Sequence, residues 1–223
     1  MTIGRKMRVY VSPALKSYST NFATTESPIS EGGKWFHTSN AWANIITVAS
    51  PNRAVGTQTG TPTSTYNDSY AYLAGFKPNV SAQATIYKDV TIDTVSGMHE
   101  VELLLRWSDS GTQVQGYECN FSSIGGYAEI VRWNGNIGDF TILADAGAFT
   151  APVTGDIVRV TISGGTITTF ISRLSGGGFV QLAQATDSTF TTGQPGFGMW
   201  LQDAAGFANQ QKFAFTSYSV TEI

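Results

Sequence analysis

Hydrophobic and polar residues alternate through much of the chain, most clearly between residues 155 and 200. In the segment VRVTIS, which begins at Val158, every second residue is aliphatic, which is the period expected of a β-strand with one buried face. The Gly164-Gly165 pair that follows supplies the positive φ angles of a two-residue hairpin turn. The run therefore predicts consecutive antiparallel strands joined by tight turns.

Segments of similar length and alternation recur along the chain, and no stretch has the 3.6-residue period of a helix longer than one turn. This spacing is typical of an all-β sandwich. We predict an N-terminal arm or edge strand over 1–20, one domain over 21–223, and a long polar surface loop over 50–69. The predicted strands are 45–49, 69–76, 83–91, 99–107, 114–122, 127–134, 140–144, 156–163, 166–173, 179–186, 196–202 and 211–221.

Composition agrees with this fold class and excludes several partners. Charged residues make up 13% of the chain and glycine accounts for 24 of its 223 residues, which suits short strands and tight turns. The net charge of −3 argues against nucleic acid as a partner. No segment has the length and apolarity of a membrane-spanning helix or of a secretory signal, so we expect no membrane insertion. Cys119 is alone and is expected to be a buried small hydrophobe.

The first sixteen residues contain four of the thirteen basic side chains, Arg5, Lys6, Arg8 and Lys16. A solvated arm explains them most simply. The alternatives are that these side chains contact a polyanion, or that the arm docks onto a second copy of the chain or onto an assembly partner.

The segments EVELLLRWSDS (100–110), GYECNFSSIGGYAEIVRWNGNIGDFTIL (116–143), GDIVRVTISGGTITTF (155–170) and ATDSTFTTGQPGFGMW (185–200) resemble the concanavalin A-like lectin/glucanase superfamily. The resemblance covers roughly residues 20–223. It implies an antiparallel two-sheet jelly roll whose concave sheet binds glycans. The same pattern occurs in carbohydrate-binding modules, glycoside hydrolases and polysaccharide lyases, so it predicts the fold more specifically than the function.

The sequence departs from this superfamily at two motifs. The glucanase E-x-D-x-x-E strand is absent, since HEVELLLRW has Glu100 and Glu102 but no later acid in phase. The last strand, FAFTSYSV, lacks the aspartate that holds a structural calcium in many relatives. Glu26 and Asp187 remain as weak calcium-ligand candidates.

Strand phase predicts which residues face a ligand. In HEVELLLRW the residues Val101, Leu103 and Leu105 are in phase and are expected to face the core, which turns the intervening side chains outward. The same reasoning applies to GYECNF and GFGMWLQ. That the three strands adjoin in one sheet is implied by the resemblance. The predicted outward set is Glu102, Arg106, Glu118, Asn120, Trp200 and Gln202.

This set suits a sugar, because an aromatic ring stacks on the C–H face of a pyranose while amides, carboxylates and guanidinium groups bind hydroxyls. Arg106, Asn120, Trp200 and Gln202 are the predicted ligand-binding residues. The structural alternative is a cross-strand pair of Arg106 with Glu118 and a tryptophan half covered by a loop.

If the protein is an enzyme, Glu102 and Glu118 are the catalytic candidates. A carboxyl separation of about 5–5.5 Å would suit a retaining glycosidase and about 6.5–9.5 Å an inverting one. A lyase would need a base such as histidine, but His37 and His99 are more simply explained as structural residues. They do not suggest a metal site.

The leading hypothesis is a carbohydrate-binding jelly-roll domain that recognises a polysaccharide or another glycan on its concave sheet. The first alternative is a polysaccharide-active enzyme, a glycoside hydrolase or a lyase. The second is a structural or adhesion protein of a phage or surface assembly. An extracellular or phage-particle location fits these hypotheses better than a cytoplasmic metabolic role.

Overall fold

A computed structural model describes residues 14–39, 41–58, 66–95, 97–202 and 207–223. Of the four basic residues of the predicted arm, Lys16 is described and the other three lie outside the described residues. Lys16 donates a hydrogen bond from Nζ to the carbonyl oxygen of Ala74, at 2.7 Å. Its ammonium group also lies over the ring of Phe76.

The described residues form fourteen strands, one 3-10 helix (Val90–Thr94) and one α-helix of four residues, α1 (Phe207–Gln210). The strands are β1 (Ser17–Thr20), β2 (Ala43–Val48), β3 (Arg53–Gly56), β4 (Ser69–Tyr72), β5 (Val80–Lys88), β6 (His99–Asp109), β7 (Val114–Ser122), β8 (Ala128–Gly135), β9 (Phe140–Asp145), β10 (Ile157–Ser163), β11 (Thr166–Ser172), β12 (Phe179–Thr186), β13 (Gln194–Leu201) and β14 (Phe213–Glu222).

Alternation located most of these strands. The predicted hairpin at Gly164-Gly165 is present, with Ser163 paired to Thr166 across the two-residue turn and a φ of 56° at Gly164. The predicted loop 50–69 is wrong in part, because it contains β3. All four residues of β3 are buried, so the strand lacks the polar–apolar alternation by which a half-exposed strand is recognised.

The strands form two antiparallel layers. The first has the order β12-β11-β10-β5-β14-β3-β2, with β1 paired to β14, and the second has the order β4-β13-β6-β7-β8-β9. A short parallel pairing of β2 with β4 joins the layers. The all-β jelly-roll prediction is confirmed.

The main hydrophobic core lies between the two layers and includes Val101, Leu103 and Leu105 of β6, as strand phase predicts. Cys119 is buried in the same core. A second, smaller cluster contains Trp42, Trp107 and Trp133. This cluster covers part of the face of the second sheet that points away from the main core. We call this face of the sheet the site face. This face is defined by the side chains of Glu102, Glu118 and Trp200.

Candidate functional site

Strand register brings four acidic side chains onto the site face. In one cross-strand row, Glu102 of β6 pairs with Asn120 of β7, which pairs with Glu129 of β8. Glu118 lies two residues along β7 and therefore points to the same side. Glu100 lies one row further along, beside Trp200 of β13.

Above these rows the site face forms a cavity of about 310 Å³. Aromatic and aliphatic side chains supply most of its walls, and carboxylates and amides supply its polar groups. The lining residues are Tyr66, Asp68, Met98, Glu100, Glu118, Asn120, Tyr127, Glu129, Val131, Trp133, Phe140, Ile142, Trp200 and Gln202.

One wall of the cavity is a stacked aromatic pair. The rings of Tyr66 and Trp200 are 5.4 Å apart at an interplanar angle of 18°. Phe140 meets Tyr66 edge-on at 5.0 Å and contacts Trp133 at 5.3 Å, which extends the wall. The prediction that Trp200 is solvent-exposed is wrong, since only 5% of it is accessible. Its neighbours cover it, and it lines the cavity.

The floor of the cavity contains a carboxylate triad, which we define as Asp68, Glu102 and Glu118. One oxygen of each carboxylate lies within 4.8 Å of an oxygen of each of the others. Asp68 reaches the triad from the residue immediately before β4, while the two glutamates come from adjacent strands. All three side chains are buried, and Glu102 is only 1% exposed.

Hydrogen bonding within the triad is uneven. Glu118 accepts hydrogen bonds from Trp133 Nε1 at 2.6 Å and from Asn120 Nδ2 at 3.2 Å. In contrast, Glu102 Oε1 and Asp68 Oδ1 are buried and have no hydrogen-bond partner among the described residues. A buried carboxylate oxygen without a partner is costly, so the triad is incomplete as a purely structural network.

Burial dominates the electrostatics of the floor. It raises the pKa of Asp68, Glu100 and Glu102 well above the ordinary carboxyl range, and the negative charge of Glu118 adds to the effect on each. Burial also raises the pKa of Glu118, to about 7, against the lowering effect of its hydrogen bonds from Trp133 and Asn120.

The cavity brings together four of the six residues predicted for this face: Glu118, Asn120, Trp200 and Gln202. Glu102 lies beneath the cavity, where its carboxylate occupies the space next to Gly198 that a β-carbon would need. It therefore belongs to the floor without lining the opening.

Arg106 does not lie with the others, and its predicted orientation is wrong. A β-bulge after Leu105 breaks the alternation of β6, and Arg106 has a φ of 49°. Its guanidinium group donates to the carbonyl oxygens of Pro78, Phe190 and Gly164 and to Asn79 Oδ1. Arg106 thus joins loops on the other side of the sheet, and the cross-strand pair with Glu118 does not form.

The two calcium-ligand candidates lie outside the triad. Glu26 Oε2 accepts hydrogen bonds from the backbone N–H groups of Ser30 and Glu31, which fixes a turn. Asp187 accepts from Tyr117 and forms an ion pair with Arg132 at 2.7 Å. Each carboxylate is thus already engaged by protein donors.

Both histidines lie outside the cavity lining. His99 is fully buried and its ring packs against Phe213, and His37 packs against Tyr70.

Sequence reasoning missed several residues of the site. Glu129 and Trp133 alternate with core residues in AEIVRW, so strand phase could have found them. Glu100 was placed outward but not assigned to the site, although Tyr127 donates a hydrogen bond to it. Asp68 and Tyr66 lie in a polar segment without periodicity, and no local signal marks them.

No family model matches the chain, and a search of curated proteins found no match. Solved structures are similar in fold. A Ca²⁺/Man2-bound form of the VIP36 exoplasmic/lumenal domain is 13% identical, with a TM-score of 0.60 over 95% of this chain and 90% of that one. A galectin-like protein of unknown function from Bacillus subtilis is 10% identical, with a TM-score of 0.60 over 96% and 98%.

The GH43 protein BlXynB from Bacillus licheniformis, as a K247S mutant, is 10% identical, with a TM-score of 0.54 over 92% of this chain and 39% of that chain. These likenesses and the strand order define one structural class: the chain has a jelly-roll β-sandwich fold, similar to that of these structures. The resemblance seen in the sequence is confirmed at the level of fold.

Proposed function

We propose that this protein is a carbohydrate-binding jelly-roll domain that recognises a glycan in the cavity on its site face. The observation that carries the proposal is the pairing of an aromatic wall with polar groups in one cavity. Trp200 and Tyr66 offer apolar ring surface, while Asn120, Gln202 and Glu129 offer hydrogen-bonding groups. Pyranoses have both an apolar C–H face and a rim of hydroxyls, and such a cavity matches both.

The fold supports the proposal. The VIP36 domain, whose structure was solved with Man2, is similar in fold to this chain. A cavity of about 310 Å³ is at the small end of the range for ligand sites, so we expect one or two sugar residues to be enclosed. Neighbouring residues of a longer polysaccharide would extend over the rim.

The test is binding to an immobilised panel of mannans, glucans, xylans, galactans and bacterial cell-wall glycans, followed by calorimetry with the strongest ligand. We expect Trp200→Ala to weaken binding at least about tenfold, because an aromatic side chain that lines a binding site can contribute a large share of affinity. Trp200→Phe should retain part of the binding.

Phe179→Ala is the matched control. Phe179 is a partly buried aromatic residue on β12, where it stacks on the guanidinium group of Arg159 outside the cavity lining. Its removal should leave glycan affinity unchanged. Equal binding by wild type and Trp200→Ala would show that the cavity is not the glycan site.

A second candidate function is hydrolysis or lysis of a polysaccharide. It is favoured by Glu118, a cavity-lining carboxyl with its pKa raised to about 7, which suits a general acid. Its carboxylate lies close to that of Glu102, so the pair fits the retaining geometry better than the inverting one. The burial of Glu102 beneath the cavity weighs against it as a nucleophile.

Release of reducing ends and of unsaturated products from the same panel separates the two functions. If the protein is an enzyme, Glu118→Gln should lower the rate by about 100-fold or more. Glu222→Gln, the same change at a buried glutamate of β14, should not. If the wild type binds a glycan but releases neither product, the enzymatic function is wrong and the binding function stands.

A role in a phage or surface assembly, with an oligomer formed through the N-terminal arm, stays a prediction, as does a location outside the cytoplasm. Among the described residues, no helix is both long and apolar enough to span a membrane.

A further inference from the structure

The carboxylate triad combines converging acidic side chains with buried oxygens that have no hydrogen-bond partner among the described residues. Three carboxylates converge from three separate parts of the chain, and two of their oxygens, on Asp68 and Glu102, are buried with no hydrogen-bond partner among the described residues. Asp68 immediately precedes β4, Glu102 lies in β6 and Glu118 lies in β7. A network evolved only for structure would direct donors to these oxygens.

No cation offsets this charge in the described part of the chain. The ion pairs found there join Lys77 to Glu222, Lys88 to Asp93, Arg132 to Asp187 and Arg173 to Asp156. None of them involves the triad. The charged groups that act on Asp68 and Glu102 are other carboxylates. Buried like charges at this separation destabilise a fold unless an ion or protons neutralise them.

We propose that the triad binds a divalent cation of the size of calcium. The donors are all carboxylate oxygens, which hard cations prefer. Two oxygens on one Ca²⁺ are separated by at most twice the metal–oxygen distance of about 2.3–2.6 Å, and the triad oxygens lie within that limit.

The surroundings fit this assignment. Glu118 is held in place by Trp133 and Asn120, as metal ligands commonly are by a second layer of hydrogen bonds. Asp68 and Glu118 also line the cavity, so the ion has a path from solvent, and water can complete its six to eight ligands. Gly198 leaves the space that the Glu102 carboxylate occupies.

This site goes beyond glycan binding and is tested without any glycan. Protein treated with EDTA and then dialysed is titrated with CaCl₂ by calorimetry and by thermal unfolding. We expect one ion per chain and a rise in Tm of roughly 5–10 °C when free Ca²⁺ is about one hundred times Kd. MgCl₂ should bind more weakly, because Mg²⁺ demands closer and more regular ligands.

Terbium provides a readout that needs no variant. Trp133 donates a hydrogen bond to a triad carboxylate and is therefore close enough to transfer excitation energy to Tb³⁺ bound there. We expect tryptophan-sensitised terbium luminescence that CaCl₂ displaces. No binding heat, no shift in Tm and no displaceable luminescence in the wild type would overturn the proposal.

Glu102→Gln separates a metal ligand from a structural residue. In EDTA it should not lower Tm, because it removes a buried group whose charged form repels the other two carboxylates, and it should abolish the Ca²⁺-induced rise. Glu222→Gln should keep the Ca²⁺ response. Glu222 is a buried glutamate of β14, in the other sheet, and it forms an ion pair with Lys77. If Glu102→Gln does not fold, Asp68→Asn serves the same purpose. Full Ca²⁺ binding by both triad variants would contradict the assignment.

The two proposals fail separately. If the protein binds Ca²⁺ but none of the glycans, the proposed metal site stands and the proposed carbohydrate function is wrong. If the protein binds a glycan equally well in EDTA and shows no Ca²⁺ binding, the carbohydrate function stands and the proposed metal site is wrong.

Discussion

At the scale of single residues, Gly198 determines whether the floor of the cavity can exist. It lies in β13 between Tyr70 of β4 and Glu102 of β6. A β-carbon at this position would clash with Glu102 Oε2 and would lie 3.0 Å from the carbonyl oxygen of Ser69. The glycine is therefore needed for the volume it leaves to its neighbour.

Gly198→Ala is expected to destabilise the protein by about 1–3 kcal/mol through overpacking. Because the clash is mainly with one side chain, the cost should be much smaller in a Glu102→Ala background. Urea unfolding of the four proteins of this double-mutant cycle measures the coupling. An equal cost in both backgrounds would mean that the backbone of Ser69, and not Glu102, limits the space.

Residue-level prediction succeeded where a side chain alternates within a regular strand. Strand phase alone placed Glu118, Asn120 and Trp200 on the side of their strands that lines the cavity. Their burial was not predictable, because the residues that cover them come from distant segments. Alternation could not predict the orientation of Asp68, because this residue lies at the end of a polar segment, before a strand of only four residues.

At the scale of elements, the bulge in β6 explains the one residue that strand phase misplaced. Alternation predicts direction only while pairing is regular, and the register between β6 and β7 shifts between Leu105 and Ser108. Gly116 and Gly193 both pack so tightly against the backbone of Arg106 or Trp107 that neither position has room for a β-carbon. No local pattern in HEVELLLRW announces this shift.

Asp187 connects the segment after β12 to two strands of the other sheet. It accepts a hydrogen bond from Tyr117 of β7 at 2.7 Å and pairs with Arg132 of β8. Burial alone would raise its pKa, but hydrogen bonds from Tyr117, Thr189 and Arg132 outweigh burial and hold the pKa below the ordinary value. The folded state thus stabilises the charged form of Asp187 more than the unfolded state does.

Asp187→Asn should therefore cost about 1–3 kcal/mol of unfolding free energy at pH 7. Since the folded-state pKa is lowered, the contribution of Asp187 is present above the unfolded pKa of about 3.9 and is lost as pH falls through the folded pKa. The difference between wild type and variant should shrink below about pH 4. Urea unfolding at a series of pH values measures it.

Asp139→Asn is the control for this series. Asp139 is an exposed carboxylate in the turn between β8 and β9 that accepts a side-chain hydrogen bond from Asn134. Its replacement should change stability by no more than about 0.5 kcal/mol. A pH-independent cost for Asp187→Asn would indicate that shape and not charge holds the segment.

At the scale of the whole molecule, the two-sheet architecture was predictable because it follows from the number and spacing of alternating segments. The second layer of aromatic packing was not. Tyr66, Phe140 and Trp133 enclose part of the site face, so a surface that strand phase predicts to be open is a walled cavity. Which of two faces of a sheet remains open depends on loops, whose course no periodicity records.

The strand order has a kinetic consequence. β13 lies between β4 and β6, and β14 pairs with β1, β3 and β5, so the centre of each layer is built from strands far apart in the chain. Closing such long loops is slow, and the chain should fold slowly compared with helical proteins of its size. The cavity floor lacks Gly198 and its wall lacks Trp200 until β13 inserts. During synthesis, the cavity is thus completed only after nearly the whole sandwich has left the ribosome.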